Sequence, residues 1–136
     1  MFLSKMKWLT GIYVLILAVI VFLAAQKDYQ FLFRFVRRTP YGDKAGHFLL
    51  MGLLSLIVNL ALSCKRLKVW KLRLLAGSLV VALVVTLEEF SQLYLRYRSF
   101  DLVDLMFDYA GIFCFGQLAS FLLSRRRAAQ QQKHAR

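Results

Sequence analysis

Proline occurs once in these 136 residues, and glycine only seven times. That scarcity excludes a collagenous or low-complexity chain. Cysteine occurs twice, at Cys64 and Cys114, in different segments and in no metal or redox spacing. Both read as small apolar residues. No internal repeat is visible. Acid is the scarcest charge: 7 Asp+Glu stand against 19 Lys+Arg, for a net charge of +12. Such a balance can signal nucleic acid, but here the basic residues flank apolar runs. That placement points to a bilayer and its anionic headgroups, with no nucleic-acid partner.

What the chain has in abundance is apolar surface. Residues of hydrophobic type make up 60% of it, more than a soluble single domain of this length carries. A bilayer core of ~30 Å needs ~20 mostly apolar residues in a helix. Four runs qualify: residues 8–25, 45–63, 72–95 and 102–123, followed by a basic tail over 124–136. The first is too long for a signal-peptide core and no convincing cleavage site follows it, so it reads as a retained helix. Backbone groups inside a bilayer must pair within their own segment, which makes helix the expected state throughout. The expected fold is therefore all-α, one integral membrane domain of four transmembrane helices.

Orientation follows from lysine and arginine. Lys5, Lys7, Lys65, Arg66, Lys68, Lys71, Arg73, Arg125, Arg126, Arg127, Lys133 and Arg136 fall on one side of a four-span chain. The smaller set, Lys27, Arg34, Arg37, Arg38, Lys44, Arg96 and Arg98, falls on the other. The richer side belongs in the cytoplasm, so both termini are expected inside. The first outer connection, residues 26–44, interleaves Tyr29, Phe31, Phe33 and Phe35 with Arg34, Arg37 and Arg38. It reads as a connector in the headgroup region, or as a lip guiding an anionic substrate.

Six of the seven acids gather in three clusters, all on the expected outer side: Asp43; Glu88 and Glu89; and Asp101, Asp104 and Asp108. Asp43 and His47 are four residues apart and share a helix face, as do Glu88 and Gln92. Asp101, Asp104 and Asp108 step by three and four along one stripe. Glu88 lies seven residues inside Leu95, ~10 Å at the helical rise, and Asp108 lies at a comparable depth. A charge at the centre of a span costs ~2.5–3.5 kcal/mol, less toward the interface. Such carboxylates are tolerated facing inward, against Lys44, Arg96, Arg98 or His47. Asp43 and Asp101 also suit helix N-caps, whereas capping does not account for Glu88, Asp104 or Asp108. His134, in the basic tail, reads as solvated.

Three mechanisms fit the pattern. Carboxylate oxygens could hold a divalent cation, with His47 as an optional nitrogen ligand. His47 could act as a general base oriented by a carboxylate. Or arginine and carboxylate groups could bind a polar headgroup. The candidate catalytic residues are His47, Glu88 and Asp104. The candidate binding residues are Asp43, Lys44, Glu89, Gln92, Arg98, Asp101 and Asp108. The alternative is a non-enzymatic scaffold or partner protein whose polar cluster only fastens the helices. A proton- or ion-coupled carrier would require a homo-oligomer of such short bundles.

Three blocks, taken in order, resemble the VanZ-like membrane proteins. They are Asp43-Lys44-Ala45-Gly46-His47-Phe48, Glu88-Glu89-x-x-Gln92, and Arg98-x-x-Asp101-x-x-Asp104 leading into Gly111. The resemblance covers roughly residues 40–116. One departure is Asp108, where the family commonly has Asn. The resemblance implies a multi-pass protein of the bacterial cytoplasmic (inner) membrane, acting in the cell envelope. Its named member is associated with resistance to the glycopeptide teicoplanin. On this reading the polar site binds or modifies a lipid-linked or envelope molecule, and the protein's other partners are membrane lipids.

Overall fold

The computed structural model describes residues 2–25, 39, 41–94 and 101–135. Among them are four α-helices and one β-hairpin. Helix α1 covers Phe2–Ala25 and α2 Gly42–Ala61. Strands β1, Arg66–Val69, and β2, Leu72–Leu75, follow. Helix α3, Ala76–Ser91, continues into a 3₁₀ turn at Gln92–Tyr94. Helix α4 runs from Leu102 to His134. The chain is mostly helical. Three of its helical segments, Gly42–Ala61, Ala76–Tyr94 and Leu102–His134, are long and apolar enough to cross a membrane.

The boundaries correct the sequence reading in one place. The third apolar run was expected to be helical from residue 72, but residues 72–75 form β2. Basic and apolar residues alternate from Arg66 to Val69 and again from Leu72 to Leu74, a two-residue period that suits strand. Antiparallel pairing joins Arg66 to Leu75, Leu67 to Leu74, Lys68 to Arg73 and Val69 to Leu72. Trp70 makes the tight reversal with φ 53°. The helix then begins at Ala76, whose N–H donates to the Lys65 carbonyl at 2.8 Å. The basic tail after residue 123 continues the helix to His134. The resulting 33-residue helix is about 50 Å long and overshoots a bilayer core.

Helix α3 shows how the packing is arranged. Val81, Val85, Glu89 and Gln92 are buried and recur at helical spacing, while Val80, Leu83, Val84 and Leu87 form the opposite, exposed stripe. Leu83 and Leu87 are 64% and 70% exposed. An apolar stripe facing out and carboxylate and amide groups facing in reverse the order of a water-soluble helix. Leu54, Val81, Val85, Leu105 and Ile112 form the common core of α2, α3 and α4.

Helix α2 packs most extensively on α4. Small residues set that closeness, as they do where no hydrophobic effect drives helices together. A Cβ on Gly111 would run into the Phe48 carbonyl, and one on Gly52 into the Phe115 ring. Phe48 and Phe115 then meet edge to face, 5.9 Å between centroids. Helix α1 lies against α2, where the Tyr13 hydroxyl donates to the Leu50 carbonyl at 3.0 Å.

Candidate functional site

The amino-terminal ends of α2 and α4 and the carboxy-terminal end of α3 come together at one end of the molecule, and each brings its own polar block. From α2, the Lys44 ammonium donates to Asp104 Oδ1 at 2.7 Å and to Asp101 Oδ2 at 3.4 Å. One turn further in, His47 Nδ1 lies 3.0 Å from Asp108 Oδ1 and 3.2 Å from its Oδ2. His47 Nε2 faces Asp104 Oδ2 at 3.7 Å. The imidazole is thus flanked by carboxylates one turn apart on α4. With Nδ1 donating to the Asp108 carboxylate, Nε2 of a neutral imidazole is the nitrogen left to accept a proton.

The stripe on α4 grades from dry to wet. Asp108 is wholly buried, whereas the side chains of Asp104 and Asp101 are 13% and 42% exposed. The cluster therefore opens outward past Asp104 toward Asp43 and Asp101. Asp43, His47 and Asp104 each place one ligand atom within 4.8 Å of the others. A divalent cation could be held there, but it would share Asp104 with the Lys44 ammonium, so these donors do not form a dedicated cage.

From α3, Glu89 is 1% exposed and supplies the inward carboxylate. Its Oε1 accepts the Asp101 N–H at 2.9 Å, and its Oε2 accepts from the Gln92 amide at 3.0 Å. Glu88, expected from sequence to be that carboxylate, is half-buried and accepts from the same amide through both oxygens at 3.1 Å. The reason is angular: Glu89 continues the buried Val81–Val85 stripe and Glu88 sits beside it. Arg98, expected to contact an anion, lies outside the described residues, as do Arg96 and the aromatic connector from Tyr29 to Phe35.

The two suggested caps separate. Asp101 is the N-cap of α4 and accepts the Val103 N–H at 2.8 Å. Asp43 instead lies within the first turn of α2, whose N-cap position is Tyr41 in the left-handed region, with no side-chain cap bond. Asp43 can therefore face the site, where a carboxylate in a first helical turn is still favoured by the helix dipole. The Val103 N–H, aided by Lys44 and opposed by partial desolvation, holds the Asp101 carboxyl below the usual carboxylate range. The folded carboxyl thus binds its proton more weakly than the unfolded one. Its contribution is complete above the ordinary pKa of about 3.9 and fades as pH falls toward the folded value. Protection of the Val103 amide, relative to its intrinsic exchange rate, should accordingly persist down to about pH 4 and be lost only below it. In Asp101→Ala the protection should be lost at neutral pH.

A second polar cluster escaped the sequence reading. Asn59 donates through Nδ2 to the Ser55 carbonyl at 2.9 Å and to Ser78 Oγ at 2.9 Å, and Ser55 Oγ donates to the Ile112 carbonyl at 3.0 Å. Ser55 and Asn59 are wholly buried. These bonds tie the carboxy-terminal part of α2 to the first turn of α3 and to α4. The signal was there in two polar residues four apart within an apolar run.

Comparison of the chain with family models, with curated proteins and with solved structures finds no match in any of the three.

Proposed function

We propose that this chain is a multi-pass protein of a bacterial cytoplasmic membrane that binds a lipid-linked or envelope molecule at its His47 site and carries out acid–base chemistry on it. In this reading α1 is a fourth span, both termini are cytoplasmic, and the acidic cluster faces the outer side. The excess of lysine and arginine around residues 65–73 and 125–136 supports that orientation. The VanZ-like order of the three blocks supports the envelope setting. The observation that carries the proposal is His47 itself, held through Nδ1 by the buried Asp108 and turned through Nε2 toward Asp104 and the opening.

A purely structural cluster would need no such gradient. A base does: one nitrogen fixed, the other accessible, and a carboxylate beside the proton it takes. The described part of the site is rich in carboxylates, which suits a ligand offering hydroxyl or ammonium donors to Asp43 and Asp104. The scaffold reading is favoured by one observation, the bonding of Glu89 and Lys44 across helices.

The test is to express the chain and its variants in a bacterium and follow teicoplanin tolerance and the pool of lipid-linked envelope precursors. His47→Ala and Asp104→Ala should each reduce the effect about 100-fold or more, the scale of general acid–base catalysis, with membrane abundance unchanged. Disappearance of the folded protein in both would instead support the scaffold.

A further inference from the structure

The opposite end of the bundle has the reverse chemistry. No Asp or Glu occurs between residues 44 and 87, or after Asp108. The basic side chains of the hairpin therefore lie in a stretch of sequence without an acidic side chain. Among the described residues Arg66 donates to neutral oxygens at the limit of bonding distance, the Arg73 carbonyl and Ser120 Oγ, both at 3.5 Å.

Beside these arginines a groove of about 220 Å³ runs between α3 and α4. Arg66, Arg73 and Gln117 stand at its mouth. Leu79, Ala82 and Phe113 form its walls further along the helices. Cationic at one end and apolar along its length, it lies between two helices that are each long and apolar enough to cross a membrane. The hairpin fixes the level of the mouth. Its register puts Leu67, Val69, Leu72 and Leu74 on one face and Arg66, Lys68 and Arg73 on the other. The apolar face is exposed, and Trp70 at the tip is 82% exposed. Such a hairpin between two spans belongs at the headgroup level, with its apolar face and tryptophan toward the acyl boundary.

We infer that the α3–α4 groove is a binding site for an anionic glycerophospholipid. Its phosphate is held by Arg66 and Arg73, and an acyl chain lies along Leu79, Ala82 and Phe113. Charge complementarity selects the occupant: a zwitterionic lipid would fill the same walls and leave the positive charge uncompensated. The inference rests on α3 and α4 being membrane spans and is independent of the His47 site.

The test is native mass spectrometry of the full chain in mild detergent, titrated with phosphatidylglycerol or phosphatidylcholine. The wild type should retain phosphatidylglycerol about tenfold better, given two arginines at the headgroup. The double variant R66Q/R73Q should lose that preference. K68Q/K71Q removes the same charge from outside the groove and should keep it. Leu79→Trp fills the groove with every charge intact and should also lose the bound lipid. Millimolar inorganic phosphate should not displace the lipid. Equal retention of the two lipids, equal loss in both charge variants, or full retention in Leu79→Trp would each overturn the site. So would displacement by phosphate alone.

Discussion

Replacing Gly111 by alanine should push α4 away from α2 and destabilise the folded protein by about 2 kcal/mol or more. Alanine is the better helix former by about 1 kcal/mol, so helix propensity alone predicts a gain. Sterics reverse the sign, because the new methyl would run into the Phe48 carbonyl, a backbone group that cannot rotate aside. Overpacking of this kind costs about 1–3 kcal/mol, and more when backbone is involved. Gly46 is the matched control. It lies one turn into α2, where an added Cβ meets nothing within 4 Å. Gly46→Ala should therefore be neutral or stabilising, by up to about 1 kcal/mol. Thermal unfolding in detergent should separate the two by several degrees, with Gly111→Ala the lower. Equal midpoints would mean that α2 and α4 do not approach as described.

Asp108→Ala should have the second large effect, on stability and on function together. The carboxylate is wholly buried, and its removal leaves His47 Nδ1 without its acceptor, a loss of about 1–3 kcal/mol. Function should fall about 10–100-fold, the usual scale for losing a group that orients a working histidine. Asp108→Asn should behave differently. Its amide oxygen can still accept from Nδ1. Orientation should survive and only the negative charge should be lost. Asn recovering most of the function lost in Ala would assign Asp108 a positioning role. Asn failing as completely as Ala would require the charge itself.

Particular residues show what could be read from the sequence. The i,i+4 pair of Asp43 and His47 and the stripe of Asp101, Asp104 and Asp108 are local helical geometry, and they survive intact in the structure. That α3 should join them is legible in the few residues between the third and fourth apolar runs, 72–95 and 102–123, which keep the facing ends of those runs side by side. The choice between Glu88 and Glu89 was a matter of one residue, 100° around the helix, and depends on how α3 is rotated in the bundle. That rotation is set by the Val81–Val85 stripe and by Gly77 beneath Asn59, where an added Cβ would strike the amide. Those contacts are between helices and have no local signal. The hairpin was hidden for another reason. Leu74 and Leu75 run straight on into the apolar sequence of α3, and only the alternation on both sides of Trp70 marks residues 72–75 as strand. Asp43 as a first-turn residue and not a cap, likewise, depends on the left-handed backbone at Tyr41.

The central claim is that His47 is held by Asp108 and presents Nε2 to Asp104. The chain has only two histidines, and the second, His134, stands exposed at the end of α4. Nitrogen-15 NMR of histidine-labelled protein in detergent therefore compares one held ring with one solvated ring in the same sample. The prediction is a single fixed tautomer for His47 with Nδ1 protonated, lost in Asp108→Ala and kept in Asp108→Asn, while the His134 signals stay unchanged. A His47 ring that exchanges tautomers as His134 does, indifferent to Asp108→Ala, would contradict it.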